Sequence, residues 1–214
     1  MRARLIAVLA FLPVLLGAPL SADDQPGKIP VEALKRGGYV ILFRHGETDR
    51  SMLPREKRVP EPSPLDLANC DLQAKLTANG IDDARVIGDG IRALGVPVGK
   101  VLASGYCRTM DTARIAFGRV EASDMLLHPT YAPIAGAPIP PAYALRRATL
   151  RQFLATPPPA GTNTMLVSHG EIFKDVVGSD GTTGEGAIYT SDGKGGFTLV
   201  ARVLPKAWLV QTGP

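Results

Sequence analysis

The sequence predicts an α/β protein: a three-layer α/β/α sandwich around a largely parallel central sheet, with a hairpin near the C-terminus. Three observations carry this. Apolar runs of strand length occupy residues 39–43, 98–103 and 163–168. Each is followed along the chain by a stretch of helical periodicity, and strands alternating with helices imply parallel pairing. Finally, residues 186–190 and 197–203 flank Asp192-Gly193-Lys194-Gly195-Gly196, a hairpin signal.

Taken in order, residues 31–34 read as a helical turn closed by Gly37-Gly38. The run at 39–43 has no polar interruption, as expected of a strand covered on both faces. Residues 49–64 are charged and hold four prolines, so they read as a loop. Thr77 is a good N-cap for a helix whose Ile81, Ala84, Ile87, Ile91 and Leu94 recur at steps of three and four. Gly95 and Pro97 end it. After the strand at 98–103, Ser104-Gly105 leads to a helix over about 109–117, and residues 125–127 read as a short strand. Pro138 and Pro141 break the chain before a helix at 142–154 with Arg146, Arg147 and Arg151 on its polar side. The strand at 163–168 and a helix at 171–177 follow.

The first segment has the pattern of a secretory signal peptide: Arg2 and Arg4, an apolar run from Leu5 to Leu16, then small residues up to Ala22. That run is short for a span of about 20 residues, although a retained N-terminal anchor is the alternative. The expected organisation is a signal peptide at 1–22, a lead-in at 23–38 and one domain at 39–214. The destination is periplasmic or secreted, with no membrane attachment after cleavage. Removing 22 of the 214 residues leaves 192, enough for one substantial core. Without Arg2 and Arg4, 22 basic and 20 acidic residues remain, a net charge of +2 that points away from nucleic acid. Only Cys70 and Cys107 are present, so the one possible intramolecular bridge joins them; two separate thiols are the alternative.

Three strand ends carry the chemistry. Phe43 is followed by Arg44-His45-Gly46, Ala103 by Ser104-Gly105-Tyr106-Cys107-Arg108, and Val167 by Ser168-His169-Gly170. Open α/β sheets bind ligands beyond the carboxyl ends of their strands. Two arginines and two histidines should therefore meet in one cleft, near helix N-termini, and suit a tetrahedral anion such as phosphate. An isolated Arg-His pair or a lone histidine would be a structural feature; three equivalent strand ends make the functional case. Glycine after each histidine would let backbone approach a ligand closely.

These segments resemble the histidine phosphatase superfamily, which includes phosphoglycerate mutases and histidine acid phosphatases. Arg44-His45-Gly46-Glu47-Thr48 matches its signature, and Leu76-Thr77-Ala78-Asn79-Gly80 is similar to the opening of its next helix. The run from Ser104 through Arg108-Thr109 to Thr112-Ala113 resembles its second arginine segment, and Val167-Ser168-His169-Gly170 its second histidine. The ordered set spans residues 39–178. The resemblance implies a phosphoglycerate mutase-like fold and hydrolysis of a small phosphorylated substrate without metal or other cofactor. It makes His45 the nucleophile of a phosphohistidine intermediate, with Arg44, Arg108 and His169 binding the phosphoryl oxygens. The two arginines would also favour the neutral, nucleophilic form of His45.

The general acid departs from the family pattern. The mutase-like branch carries a glutamate beyond the second arginine's helix, but residues 128–136 hold no carboxylate, and Glu121 and Asp124 precede them on the approach loop. The acid-phosphatase branch has an aspartate directly after the second histidine, where this chain has Gly170. Glu171, one position later, is the candidate acid, or else a helix N-terminal glutamate placed for the macrodipole. Glu47 reads as a structural partner for an arginine. A Cys70–Cys107 bridge would brace the phosphate pocket beside Arg108. Arg50, Arg55, Lys57 and Arg58 form either an overhang that selects anions or a solvated loop. The alternatives to a phosphatase are a non-catalytic phosphate- or polyanion-binding protein and a phosphoglycerate mutase, the latter at odds with export.

Overall fold

Tyr39–Arg44 form strand β1, and its four central side chains are buried without alternation. Ile41 and Phe43 join one apolar cluster, while Val40 and Leu42 join a second on the opposite face. A strand covered on both sides has no polar face to show, which explains the uninterrupted run. The structure, a computed structural model, describes residues 29–49, 51, 67, 69–127 and 141–210. The leader, the basic residues Arg50, Arg55, Lys57 and Arg58, and the segment 128–136 lie outside them.

Before β1 comes helix α1 (Val31–Arg36), and after it α2 (Ala78–Ala93), β2 (Val98–Ala103), α3 (Cys107–Phe117) and β3 (Glu121–Ala122). Then follow α4 (Pro141–Leu154), β4 (Asn163–Ser168), α5 (Gly170–Val177), β5 (Gly186–Ser191), β6 (Phe197–Val203) and α6 (Ala207–Val210). Among the described residues the strands form one six-stranded sheet in the order β3-β2-β4-β1-β5-β6. β1, β2, β3 and β4 pair in parallel, whereas β5 runs antiparallel to both β1 and β6. The predicted hairpin is therefore no appendage; it widens the central sheet.

Leu34 of α1, Ile87 and Ile91 of α2, Ala113 of α3 and Trp208 of α6 pack on one face with Met165 and Val167 of β4. Leu150 and Leu154 of α4 and Ile172 and Phe173 of α5 cover the other face with Leu166. Each fully buried aliphatic or aromatic side chain contributes about 1.5–3 kcal/mol, so these two cores dominate stability. The helix ion pairs Arg85–Asp82, Arg92–Asp89 and Arg114–Asp111 are exposed and contribute little. Thr77 caps α2 as expected, its Oγ1 accepting from the Gly80 N–H at 3.1 Å.

One element differs from expectation. Residues 125–127 form no strand; Asp124–Leu126 are a 3-10 turn, and the strand is Glu121–Ala122, paired with Leu102 and Ala103. The Ser123 N–H bonds the Ala103 carbonyl, after which the chain turns inward. Met125 and Leu126 are then buried against α4 instead of along the sheet edge, and the Leu126 carbonyl accepts from Ser168 Oγ at 2.7 Å. Their apolarity reflects burial in a turn, which a three-residue window cannot distinguish from a strand. Helix α3 also begins two residues before position 109, at Cys107.

Candidate active site

Parallel register sets the site. Arg44 lies opposite Ser168 and Ala103 opposite Val167, so β1, β2 and β4 end at one edge. His45 N–H donates to the Ser168 carbonyl at 2.9 Å and Ser104 N–H to that of Val167 at 3.0 Å, holding the exits of neighbouring strands together. Arg44, His45, Arg108, His169, Gly170, Glu171 and Asp180 line one pocket of about 230 Å³. The structure thus brings together the five residues expected to carry the chemistry. Glu121, exposed in β3, and Asp124, in the 3-10 turn, do not line it.

His45 is buried, and its Nδ1 lies 2.7 Å from the Gly46 carbonyl. A carbonyl only accepts, so Nδ1 carries a proton. The ring stands 5.5 Å from that of His169. His169 Nδ1 is 3.0 Å from Arg108 Nη2 and its Nε2 is 2.8 Å from Ser104 Oγ. Arginine only donates, which makes Nδ1 the acceptor and leaves the proton on Nε2, where it is donated to the serine. The contacts thus orient both rings and fix the tautomer of His169.

Arg44 is anchored from the far side. Its Nη1 donates to the Gly181 carbonyl at 2.6 Å and the Asp180 carbonyl at 3.3 Å. Those carbonyls belong to a turn that is itself fixed: Gly184 N–H bonds the Arg44 and His45 carbonyls, and Glu185 uses both carboxylate oxygens. Glu185 Oε2 accepts from Thr182 N–H at 2.8 Å and Oε1 pairs with Arg202 Nε at 2.5 Å. The buried Arg44 Nε has no hydrogen-bond partner among the described residues.

The glycines after the histidines make room for protein neighbours. A Cβ on Gly46 would lie 2.5 Å from the Gly80 carbonyl oxygen, and one on Gly80 2.2 Å from that of Glu47. The loop after His45 thus rests directly on the first turn of α2. A Cβ on Gly170 would sit 3.3 Å from Arg44 Cζ and 3.4 Å from the Asp180 carbonyl. A side chain there would meet the Arg44 guanidinium in a tight contact.

Among the described residues Glu47 meets a threonine and no arginine. Its Oε1 accepts from Thr77 Oγ1 at 2.8 Å, because the loop packs against that helix start and brings the threonine closest. Several site residues escaped the sequence reading. Thr112 Oγ1 accepts from Gly46 N–H at 3.1 Å and donates to the Arg108 carbonyl at 2.7 Å, coupling the His45 loop to the Arg108 turn. Its place in the Thr-x-x-Thr-Ala run from 109 to 113 was the available signal. Asp180 had none, since a glycine-rich turn reaches the pocket only through the β5 connection. Cys70 and Cys107 form a disulfide. It ties the segment before α2 to the residue preceding Arg108, where Gln73 Oε1 also accepts from Cys107 N–H at 2.9 Å.

Solved structures share this architecture. The protein histidine phosphatase SixA in complex with tungstate superposes with a TM-score of 0.53 at 18% identity, over 78% of this chain and 97% of that one. YhfR from Bacillus stearothermophilus gives 0.54 at 19% identity, over 76% and 95%. This chain has a phosphoglycerate mutase-like fold. Entamoeba histolytica phosphoserine phosphatase, bound to 3-phosphoglyceric acid, has the same fold at 0.53 and 14% identity, over 79% and 98%. In sequence, the mitochondrial serine/threonine-protein phosphatase Pgam5 of Drosophila virilis is 32% identical over 108 residues. That of Drosophila grimshawi is 29% identical over 107, each match covering 50% of this chain and 32% of the relative. The chain thus spans about a third of the length of these curated relatives. No family profile matches the chain.

The bridge supplies one direct test of what stabilises this fold. Closing a loop across a separation of 37 residues is worth about 2–4 kcal/mol through the unfolded state. Urea denaturation with and without dithiothreitol should differ by that amount; coincident curves would rule out such a contribution.

Proposed function

We propose that this chain is a phosphomonoester hydrolase that works through a phosphohistidine at His45. The observation that carries the reading is the pocket itself. A histidine whose Nδ1 is held by the Gly46 carbonyl shares about 230 Å³ with Arg44, Arg108 and His169. Phosphoryl transfer needs a positioned nucleophile and fixed positive groups around three equatorial oxygens, with little covalent work for the protein. Nε2 attacks phosphorus in line as the ester P–O bond breaks, and the leaving oxygen takes a proton from the acid. Water then attacks phosphorus, the P–N bond breaks and returns its pair to Nε2, and the water's proton restores the acid. Arg44 and Arg108 stabilise the charge on the transferring group in both steps. The family likeness to named phosphatases supports the same activity here.

Glu171 is the proposed acid. It stands in the first turn of α5 and lines the pocket, while Gly170 leaves no carboxylate at the preceding position. The leader reading places the protein in the periplasm or outside the cell, and the Cys70–Cys107 bridge fits an oxidising compartment.

Three measurements test these statements. Phosphate release from p-nitrophenyl phosphate should be lost in His45→Ala; saturable phosphate binding without turnover on a broad ester panel would instead favour a binding protein. Glu171→Gln should slow glycerol phosphate hydrolysis about 10²-fold or more, and p-nitrophenyl phosphate far less, because nitrophenolate leaves without a proton. Equal losses would remove Glu171 from the role, and the same asymmetry in Asp180→Asn would transfer it. N-terminal sequencing of the exported protein should begin at Asp23; an intact Met1 would contradict cleavage after Ala22.

A further inference from the structure

We propose that Tyr106 is a positioning residue whose ring holds Arg108 and His169 ready for a phosphoryl group, a role that rests on the phosphatase reading above. The Arg108 guanidinium carbon lies 4.4 Å from the ring centroid, within range of cation–π attraction. The same ring meets the His169 ring edge-on, with centroids 5.0 Å apart and planes at 79°. Arg108 and His169 are bonded to each other at 3.0 Å, so one aromatic surface borders both members of the pair.

The backbone supplies an independent reason. Tyr106 is the N-cap of α3, with extended φ and ψ and no side-chain capping bond. That position favours Ser, Thr, Asp or Asn, whose oxygen satisfies a free N–H of the first turn. A residue that breaks a local rule needs a compensating gain. Here the gain is the ring's contact with the phosphate-binding pair. A long arginine side chain leaning on this surface enters the reaction already ordered; without the ring, the substrate must order it.

The test compares Tyr106→Phe, Tyr106→Leu and Tyr106→Asn with wild type in three readouts. These are inorganic tungstate affinity by calorimetry, kcat/KM on p-nitrophenyl phosphate, and thermal midpoint. Phe should match wild type within about twofold, because the ring and not the hydroxyl makes both contacts. Leu and Asn should weaken tungstate binding and kcat/KM by about tenfold. Asn, a good cap, should do so with a midpoint no lower than wild type. A merely structural tyrosine would instead lose activity only in step with stability. The proposal is overturned if Leu and Asn bind tungstate as wild type does, if their losses follow the midpoint, or if wild type binds no tungstate. Binding without turnover of any ester would defeat the phosphatase reading alone, and the tungstate series would still decide the role of Tyr106.

Discussion

Parallel pairing of β4 with both β1 and β2 is the constraint on which everything functional depends. It brings three carboxyl ends to one edge, and each end is followed by a residue that can meet a phosphate or hold one that does. A slip of one residue in β1 would exchange its two buried faces, moving Ile41 and Phe43 into the cluster that now takes Val40 and Leu42. Register is therefore set by packing on both sides of the sheet at once. The site geometry inherits that certainty, and the hydrogen bonds at the strand exits refine it.

Gathering two guanidinium groups and two histidines in one pocket is unfavourable unless each is held. The solution here is to hold them through backbone and neutral partners. Arg44 leans on two carbonyls, His45 on a third, and His169 on a serine hydroxyl and the guanidinium of Arg108. Glu47 and Glu185 are engaged in structural contacts, with Thr77 and with Thr182 and Arg202, whereas Glu171 and Asp180 line the pocket itself. Groups held in this way are preorganised, and a preorganised field costs no rearrangement when charge develops.

The legible part of this arrangement follows from what local sequence can encode. Continuous apolarity at residues 40–43 reports burial on two faces, and the Arg-His pair directly after it needs no distant information. The Thr77 cap and the bounds of α2 were likewise local. Illegible were the features that depend on contacts far apart in the chain. Met125 and Leu126 are apolar for a turn beneath α4; Gly46 and Gly80 are small because a loop and a helix touch. Gly170 lies beside a guanidinium that local sequence does not reveal. Thr112 and Asp180 gain their places only when α3 and the β5 connection close on the His45 loop.

The antiparallel direction of β5 carries a further consequence. A parallel strand presents its exit at the reactive edge, but β5 presents its entrance, so the residues before it, 180–185, come to lie beside Arg44. The sheet therefore recruits helix-to-strand and strand-to-helix connections to the same rim. Change in either kind of connection can reshape the substrate's surroundings while the barrier-lowering groups stay where they are. The late-sequence hairpin, which contributes no reactive side chain, becomes a mount for the first arginine of the chain's opening motif.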